Sequence, residues 1–142
     1  MTTVPEVMNN ASGMMYVVLV CGDREYTRVQ PIKQEIAGLY EQYGHRLKIV
    51  HGGCARKANG KWVDADMIAD TIARLLGIPV SPYPADWNRH GNSAGPIRNS
   101  LMLANEQPDL VLAFHSNINS SKGTKDMVTK ARGAGVPVKV IK

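Results

Sequence analysis

The stretch Pro84–Met102 (P-A-D-W-N-R-H-G-N-S-A-G-P-I-R-N-S-L-M) places an arginine directly behind a helix-start signal. Ala94-Gly95-Pro96 predicts the start, because proline at the first helical position loses no hydrogen bond. Arg98 then falls in the first turn, among unpaired backbone N–H groups. A cation there costs roughly 0.3–1 kcal/mol when it is exposed, but it is useful when an anion binds in front of the helix. The alternative is a surface arginine lying over Trp87.

Polar or glycine-containing segments follow four predicted strands, at the point where each strand ends. They are Gly22-Asp23-Arg24, Gly52-Gly53, Asp86–Asn99 and Ser116–Asp126. In a parallel sheet the carboxyl ends of the strands meet at one edge, where ligands bind. Glycine lets the backbone approach a ligand, and the helix starts at Gly95 and Gly123 offer N–H groups to phosphate, although a tight turn also explains any single glycine. The predicted ligand-binding residues are Gly22, Asp23, Arg24, Gly52, Gly53, Asp86, Arg98, Asn99, Ser116, Gly123 and Thr124.

Apolar runs alternate with helical patterns along the chain. Strands are predicted at Tyr16–Cys21, Leu47–His51, within Ile78–Pro84, at Asp109–Phe114 and at Val136–Ile141. Helices are predicted at Val29–Tyr43, from Asp64 or Asp66 to Leu76, from Ala94 to near Pro108 and from Gly123 to Ala134. This alternation predicts an α/β fold with one Rossmann-like, doubly wound, mostly parallel five-stranded sheet. Prolines confine the third strand to an edge, which favours the strand order 3-2-1-4-5.

Helical spacing also predicts which helix faces pack on the sheet. The predicted inner face of the second helix consists of Ile68, Ile72, Leu75 and Leu76. The predicted inner face of the third helix consists of Ile97, Leu101 and Ala104. The segment Cys54–Val63 has no periodicity, so we predict that it is a loop.

The composition predicts one domain that is not specialised for nucleic acids or membranes. At 142 residues and 44% hydrophobic, the chain fills one core, predicted at residues 14–142 behind a flexible polar arm, residues 1–13. The net charge of +5 is spread out, and 6% aromatic residues are few for a nucleic-acid stripe. No run approaches the ~18 apolar residues of a membrane span, and the first residues do not form a signal peptide. Two cysteines are too few for a disulfide scaffold and favour a reduced, cytoplasmic setting.

The common cofactor and metal motifs are not found. Gly22 is not followed by G-x-G-x-x-G, and strand two ends in His51 rather than in an acid for a ribose hydroxyl, which disfavours NAD(P). The segment Ser121–Thr124 has the order K-G-T instead of the G-K-T of a P-loop. Four metal-ligand types near the predicted edge lack the close pairing of zinc ligands; they are Cys21, His51, Cys54 and His115. We therefore predict neither a cofactor nor a metal.

Four segments together resemble the SLOG superfamily, most closely its YspA (cpYpsA-related) branch. They are V-L-V-C-G-D-R-E-Y, H-G-G-C-A-R, the Pro84–Met102 block and K-G-T-K-D-M, within about Val18–Ile141. The segment Lys57–Ala65 is extra, since relatives run more directly from Arg56 to Asp66. The resemblance implies a Rossmann-type sheet that binds nucleotides or nucleotide-derived ligands. It also implies kinship with the LOG phosphoribohydrolases, which release a base from a nucleoside 5′-monophosphate, and with the DNA-processing protein DprA.

The resemblance to LOG enzymes is carried by two short patterns. Arg98 and Met102 match an arginine that is followed four residues later by methionine. Gly123-Thr124 match the G-T of the loop P-G-G-x-G-T-x-x-E, whose leading P-G-G is replaced here by a longer segment. The position of the family's glutamate holds Met127, and Asp126 precedes it by one residue, a rotation of ~100° on a helix.

Three functions are open at this point. The first is a sensor or sequestering module that binds a nucleoside monophosphate or an ADP-ribose-like ligand, with Arg98 as the counter-charge. The second is a LOG-like N-glycosidase, in which Arg98 holds the 5′-phosphate and Asp126 stabilises an oxocarbenium-like state. The third is a DNA-associated or protein-interaction domain, which the thin basic patterning disfavours. Related LOG enzymes are dimeric, so a homodimer is an alternative to a monomer, although the sequence itself shows no interface.

Overall fold

A parallel sheet forms the centre of the protein in the computed structural model, which describes residues 14–23, 26–53, 57–58, 61–62, 64–117 and 121–142. Within these residues the sheet has five strands, namely β1 (Tyr16–Gly22), β2 (Leu47–His51), β3 (Val80–Pro82), β4 (Leu110–Phe114) and β5 (Val138–Ile141). Their order is β3-β2-β1-β4-β5, and all four pairings are parallel. The predicted Rossmann-like α/β fold and its strand order are confirmed. The predicted arm, residues 1–13, lies outside the described residues, as do Arg24 and Cys54.

Helices cover both faces of the sheet, as alternation of side chains along β1 requires. The helices are α1 (Val29–Tyr43), α2 (Ala65–Leu75), α3 (Trp87–His90), α4 (Ala94–Glu106) and α5 (Lys122–Gly133). Val18 and Val20 of β1 belong to the core that α1 and α2 complete. Leu19, which points to the opposite face, packs in the core that α4 and α5 complete. The sheet is therefore doubly wound, and the chain crosses from one face to the other between β3 and β4.

The predicted inner face of α2 is wrong for its last two residues. Leu75 is 82% exposed and Leu76 is 37% exposed, whereas the fully buried stripe is Ala65, Ala69 and Ala73. Ile68 and Ile72 pack against the margin of this stripe. Small side chains at every fourth position let the helix lie close to the sheet, so the larger apolar residues are displaced to the edges of the contact.

The predicted inner face of α4 is also wrong. Ile97 is 37% exposed, Leu101 is 50% exposed and Ala104 is exposed, while Asn99 and Met102 are buried. The hydrophobicity pattern failed here because α4 turns a hydrogen-bonded amide toward the protein interior. Burial of a polar group of this kind is tolerated when its hydrogen bonds are made.

Two connecting segments contain more regular structure than predicted. The expected loop Cys54–Val63 holds two antiparallel two-residue strands, Lys57–Ala58 and Lys61–Trp62. The polar stretch before α4 contains the short helix α3, whose first turn is capped by Asp86 accepting from the N–H of Arg89. These additions follow β2 and β3, at the edge of the sheet that carries the candidate site.

Candidate functional site

An open pocket of about 730 Å³ lies at the carboxyl edge of the sheet. The strand register brings the ends of β1, β2 and β4 to this edge, since Val20 pairs with His51 and Gly22 with Phe114. Eight of the predicted ligand-binding residues line the pocket, namely Gly22, Asp23, Gly52, Gly53, Arg98, Asn99, Gly123 and Thr124. Asp86 and Ser116 are not among the described residues of its wall, and Arg24 lies outside the described residues. Binding itself stays a prediction for all of them.

Arg98 is held in the pocket wall by the loops that follow β2 and β3. Its Nη1 donates to the carbonyl oxygen of Gly52 at 2.7 Å and to that of Tyr83 at 3.3 Å. Its Nε donates to the side-chain oxygen of Asn99 at 2.9 Å. Within the described part of the chain, Nη2 has no such partner. The guanidinium is thus oriented by two of its nitrogens and keeps donors for a ligand on the third.

Gly52 is the point where Arg98 and an aspartate meet. Its carbonyl oxygen accepts from Arg98, and its N–H donates to Oδ2 of Asp66 at 3.1 Å. A methyl group at position 52 would collide with Nη1 of Arg98 and would lie 2.8 Å from Cζ and 3.0 Å from Oδ2 of Asp66. Glycine is therefore required here by close approach of side chains. The next residue, Gly53, is required by its backbone, with φ of 58°.

Asp66 is a candidate functional residue that sequence reasoning missed, because it was interpreted only as a helix cap. It lines the pocket from the first turn of α2. The pKa of Asp66 is raised to about 6, chiefly by burial and also by the neighbouring Asp64, against the lowering effects of His51, Arg98 and the N–H of Gly52. The available signal was the family's short arginine-to-aspartate spacing after H-G-G, which Lys57–Ala65 lengthens in this chain.

Asp64 stands beside Asp66 and is buried more deeply, with 3% of its surface exposed. It is the N-cap of α2, and its Oδ1 accepts from the N–H of Met67 at 2.9 Å. Its Oδ2 is buried and has no hydrogen-bond partner among the described residues. Because Asp64 also lines the pocket, its unsatisfied oxygen belongs to the candidate site.

The raised pKa of Asp66 predicts that this carboxylate lowers stability at neutral pH. The native state holds the proton more tightly than the unfolded chain, so the free energy of unfolding falls as the pH rises from about 4 to about 6. Asp66→Asn keeps an acceptor for the N–H of Gly52 but cannot ionise. We expect this substitution to stabilise the protein by about 1–2 kcal/mol at pH 7.5, because partial exposure of the side chain reduces the effect of its charge. At pH 4 we expect no effect.

Urea unfolding of Asp66→Asn at the two pH values checks this expectation. Glu35→Gln removes the same charge from an ion pair with Lys139, outside the pocket lining, and serves as the control. It should give no stabilisation at either pH, since exposed pairs contribute only about 0–1 kcal/mol. A destabilised Asp66→Asn at pH 7.5 would contradict the assignment.

Asp126, the predicted catalytic carboxylate, is not among the described residues that line the pocket. Its Oδ2 accepts from Nδ2 of Asn99 at 3.0 Å and pairs with Lys130 at 3.0 Å. Asn99 also donates to the carbonyl oxygen of Gly123 at 3.3 Å, so it connects α4 to the first turn of α5. Met127, at the position of the family's glutamate, is fully buried in the core. The catalytic role of Asp126 stays a prediction, and its observed contacts are those of a group that orients Asn99.

The histidines at the ends of β2 and β4 accept from backbone N–H groups, and His115 also lines the pocket, where its Nε2 lies 3.5 Å from Oδ2 of Asp23. Nδ1 of His51 accepts from the N–H of Gly53 at 2.9 Å, and Nδ1 of His115 accepts from the N–H of Asn117 at 2.8 Å. Nε2 of His51 therefore carries the proton in the neutral ring and donates to Asp70 at 2.8 Å. Across the described residues, no group of three or more histidine, cysteine, aspartate or glutamate side chains could hold a metal ion.

Two helix N-termini open into the same pocket as Arg98. Gly95 and Pro96 from the first turn of α4 line it, as do Ser121 to Thr124 from the start of α5. Ser121 caps α5 by accepting from the N–H of Thr124 at 3.4 Å, and Lys122 adds a positive charge. N–H groups and helix dipoles at such positions favour bound anions. The pocket therefore has positive groups in its lining, and the carboxylates of Asp64 and Asp66 belong to the same lining.

The fold and the pocket define a Rossmann-like α/β protein with a candidate ligand site at the carboxyl edge of its sheet. The model of the YspA, cpYpsA-related SLOG family matches residues 16–90, more than half of the chain, and the chain belongs to this family. It is 34% identical over 126 residues to the Gene 61 protein of Mycobacterium phage D29, covering 85% of this chain and 92% of that protein.

One solved structure to which the chain is similar is that of a candidate UDP-N-acetylglucosamine 2-epimerase from Listeria monocytogenes. It is 12% identical, with a TM-score of 0.49, and the match covers 91% of this chain but only 31% of that one. In the described part of the chain, no helix has the length and apolar character needed to cross a membrane.

Proposed function

We propose that this protein binds a nucleotide or a nucleotide-derived ligand, such as a nucleoside monophosphate or ADP-ribose, as a sensor or sequestering module. The observation that carries the proposal is the convergence of Arg98 and the first turns of α4 and α5 on one pocket. Arg98 and the starts of α4 and α5 each favour an anion, and a phosphate is the group that suits them together. Membership of the SLOG family fits a nucleotide-related role.

Other residues of the pocket lining support a ligand that is more than a phosphate. Asp64 and Asp66 supply acceptors there, and Trp87 is half-exposed at the rim, next to Gly95. A nucleotide combines an anionic end with hydroxyl groups and a flat base, which match the positive groups, the carboxylates and the aromatic side chain of the lining. A pocket of about 730 Å³ lies within the range of small-molecule sites.

Calorimetric titration of the full chain with AMP, ADP-ribose and cyclic AMP tests this proposal. Mass spectrometry of material released from the denatured, purified protein tests for a ligand that is retained through purification. Saturable binding of at least one of these nucleotides, or a co-purified nucleotide, is expected. If none of these three nucleotides binds and no nucleotide co-purifies, the proposal is wrong.

Base release from a nucleoside 5′-monophosphate is a second candidate function, and the position of Asp66 favours it. The reaction breaks the N-glycosidic bond with one water molecule, whose hydroxyl group bonds to C1′ of the sugar and whose proton goes to the leaving nitrogen, and it yields the free base and ribose 5-phosphate. A carboxylate can stabilise the oxocarbenium-like state, and a protonated carboxylic acid can donate to the leaving base. A group whose pKa is about 6 can occupy either state near neutral pH. Asp66 fulfils these requirements inside the pocket, which Asp126 does not line.

This second candidate predicts different outcomes for the two aspartates. With nucleoside 5′-monophosphates as substrates, Asp66→Asn should lower the rate of base release at least about a hundredfold, as loss of acid–base groups commonly does. Asp126→Asn should act only through the orientation of Asn99 and should lower the rate by less than tenfold, by the scale of one hydrogen bond. Chromatographic detection of free base measures both. A larger effect of Asp126→Asn would restore the catalytic role predicted from the sequence.

A further inference from the structure

The pocket has an acidic corner, which we define as the carboxylates of Asp64 and Asp66 at the start of α2. Both residues line the pocket, and within the described residues each has one carboxylate oxygen without a hydrogen-bond partner. We propose that the acidic corner accepts hydrogen bonds from the ribose hydroxyl groups of the ligand, so that the protein selects ribonucleotides over deoxyribonucleotides. This inference rests on the proposed binding of a nucleotide.

Asp66 presents one oxygen to the pocket while the other is fixed. Its Oδ2 accepts from the N–H of Gly52 at 3.1 Å, which orients the carboxylate. Oδ1 has no hydrogen-bond partner in the described ranges of the chain. A buried or partly buried carboxylate normally collects several donors, because each lone pair left unsatisfied away from water raises the free energy. Oδ1 of Asp66 is not among the buried unpartnered oxygens of the described residues, so it is open to the pocket, where a ligand can supply the donor.

Asp64 is an independent sign that a donor is missing from the same corner. Its side chain is more than nine-tenths buried, and its Oδ2 is unpartnered within the described residues. Oδ1 is satisfied by the N–H of Met67, so the helix cap alone uses only half of this carboxylate. A residue selected only as an N-cap could be a serine or threonine, which leaves no second buried oxygen.

The chemistry that satisfies this corner is a hydrogen-bond donor, which in a nucleotide is a ribose hydroxyl or an amino group of the base. The geometry favours the ribose. Arg98 and Asp66 contact the same residue, Gly52, one at its carbonyl oxygen and the other at its N–H, and both side chains lie against the position that a Cβ would take there. A phosphate bound by Arg98 is thus a near neighbour of Asp66, and along a nucleotide the ribose hydroxyls lie closer to the 5′-phosphate than the amino group of the base does.

The acidic corner also takes the place of an acidic residue, which β2 lacks at its end. Dinucleotide-binding folds place an acid near the end of this strand to accept from ribose hydroxyls. Here β2 ends in His51, whose two ring nitrogens are occupied by Gly53 and Asp70. Asp66 brings a carboxylate from α2 to the next residue of the same loop, Gly52.

Calorimetry with the full chain in the presence of EDTA tests the inference with four named probes. AMP is compared with 2′-deoxy-AMP and 3′-deoxy-AMP, which lack one hydroxyl each, and with purine riboside 5′-monophosphate, which lacks the amino group of the base. We expect at least one of the deoxynucleotides to bind about tenfold more weakly than AMP, the scale of a hydrogen bond to a charged group. The nucleotide without the amino group should bind within about twofold of AMP.

Variants of the chain show whether the discrimination comes from the acidic corner. In Asp66→Asn the pocket-facing oxygen is replaced by an amide donor, so AMP should bind as weakly as the deoxynucleotide while the deoxynucleotide is unchanged. Glu35→Gln, which removes the same charge outside the pocket lining, should keep the wild-type discrimination. Asp64→Ser keeps a capping oxygen and tests the second carboxylate in the same way.

The outcomes separate this inference from the proposed function. Equal binding of AMP and both deoxynucleotides overturns the inference and leaves nucleotide binding intact. If only the nucleotide without the amino group loses affinity, the acidic corner accepts from the base. That result also overturns the inference. Absence of binding by AMP and by every other probe overturns the proposed function itself.

Discussion

Gly52→Ala is expected to weaken AMP binding at least about tenfold while the protein still folds. The added methyl group would collide with Nη1 of Arg98 and would lie 3.0 Å from Oδ2 of Asp66, and both are ends of movable side chains. The side chains can therefore move aside, and an overpacking cost of roughly 1–3 kcal/mol falls on the geometry of the site and not on the sheet. Calorimetry with AMP and urea unfolding measure the two effects.

Gly38→Ala is the matched control for this substitution. A methyl group at position 38, in the middle of α1, has no atom within 4 Å. Alanine should stabilise the helix by roughly 0.5–1 kcal/mol and should leave AMP binding unchanged. If the two glycine variants bind AMP equally well, the contact at Gly52 does not organise the site.

A double-mutant cycle assigns the effect of Gly52→Ala to Arg98. In the Arg98→Ala background the closest collision is absent, so the alanine at position 52 should weaken binding by no more than about twofold further. Residues in direct contact show this kind of non-additivity, whereas independent sites add. Additive losses would mean that the methyl group acts through Asp66 or through the backbone.

The order of the strands could be predicted because local patterns report it. The buried run of β1 has apolar side chains on both faces, with Val18 and Leu19 in different cores, and this is typical of a central parallel strand. Pro79, Pro82 and Pro84 exclude the third strand from the centre. Helix starts were predictable for the same reason, since α4 begins at Ala94 as its Gly-Pro signal indicates.

The contact that organises the site could not be predicted, because it joins distant parts of the chain. Arg98 and Gly52 are 46 positions apart, and Asp66 reaches Gly52 from 14 positions away. No hydrophobic periodicity in the sequence encodes a contact between residues so far apart. The same limit applies to α4, where hydrophobicity favoured Ile97 and Leu101 as the inner face. Only the tertiary structure shows that Asn99 has partners in α5 that allow its burial.

Arg98→Ala is expected to weaken AMP binding by about ten- to a hundredfold and to change the free energy of unfolding by less than about 1 kcal/mol. Charge-assisted bonds to a phosphate contribute roughly 1.5–3 kcal/mol, and each 1.4 kcal/mol is tenfold in affinity. The carbonyl oxygens of Gly52 and Tyr83 that lose the guanidinium border an open pocket, so water can hydrogen-bond to them instead. Calorimetry and urea unfolding of one protein preparation compare the two losses directly.

Two further variants show which property of Arg98 matters. Arg132→Ala removes an exposed cation from the last turn of α5 and should bind AMP as the wild type does. Arg98→Lys keeps the charge but loses the planar guanidinium that contacts two loops and a ligand at once. The affinity of this variant for AMP should therefore fall between those of the wild type and Arg98→Ala. Equal losses of binding and of stability in Arg98→Ala would make the arginine a structural tether between the loops.

The removal of Arg98 also tests its electrostatic coupling to Asp66. The charge of Arg98 is one of the influences that lower the pKa of Asp66, against the larger effect of burial that raises it to about 6. In Arg98→Ala the pKa of Asp66 should therefore rise above its wild-type value, which carboxyl-carbon NMR measures as a function of pH. An unchanged pKa would place the guanidinium too far from the carboxylate for a single nucleotide to contact both.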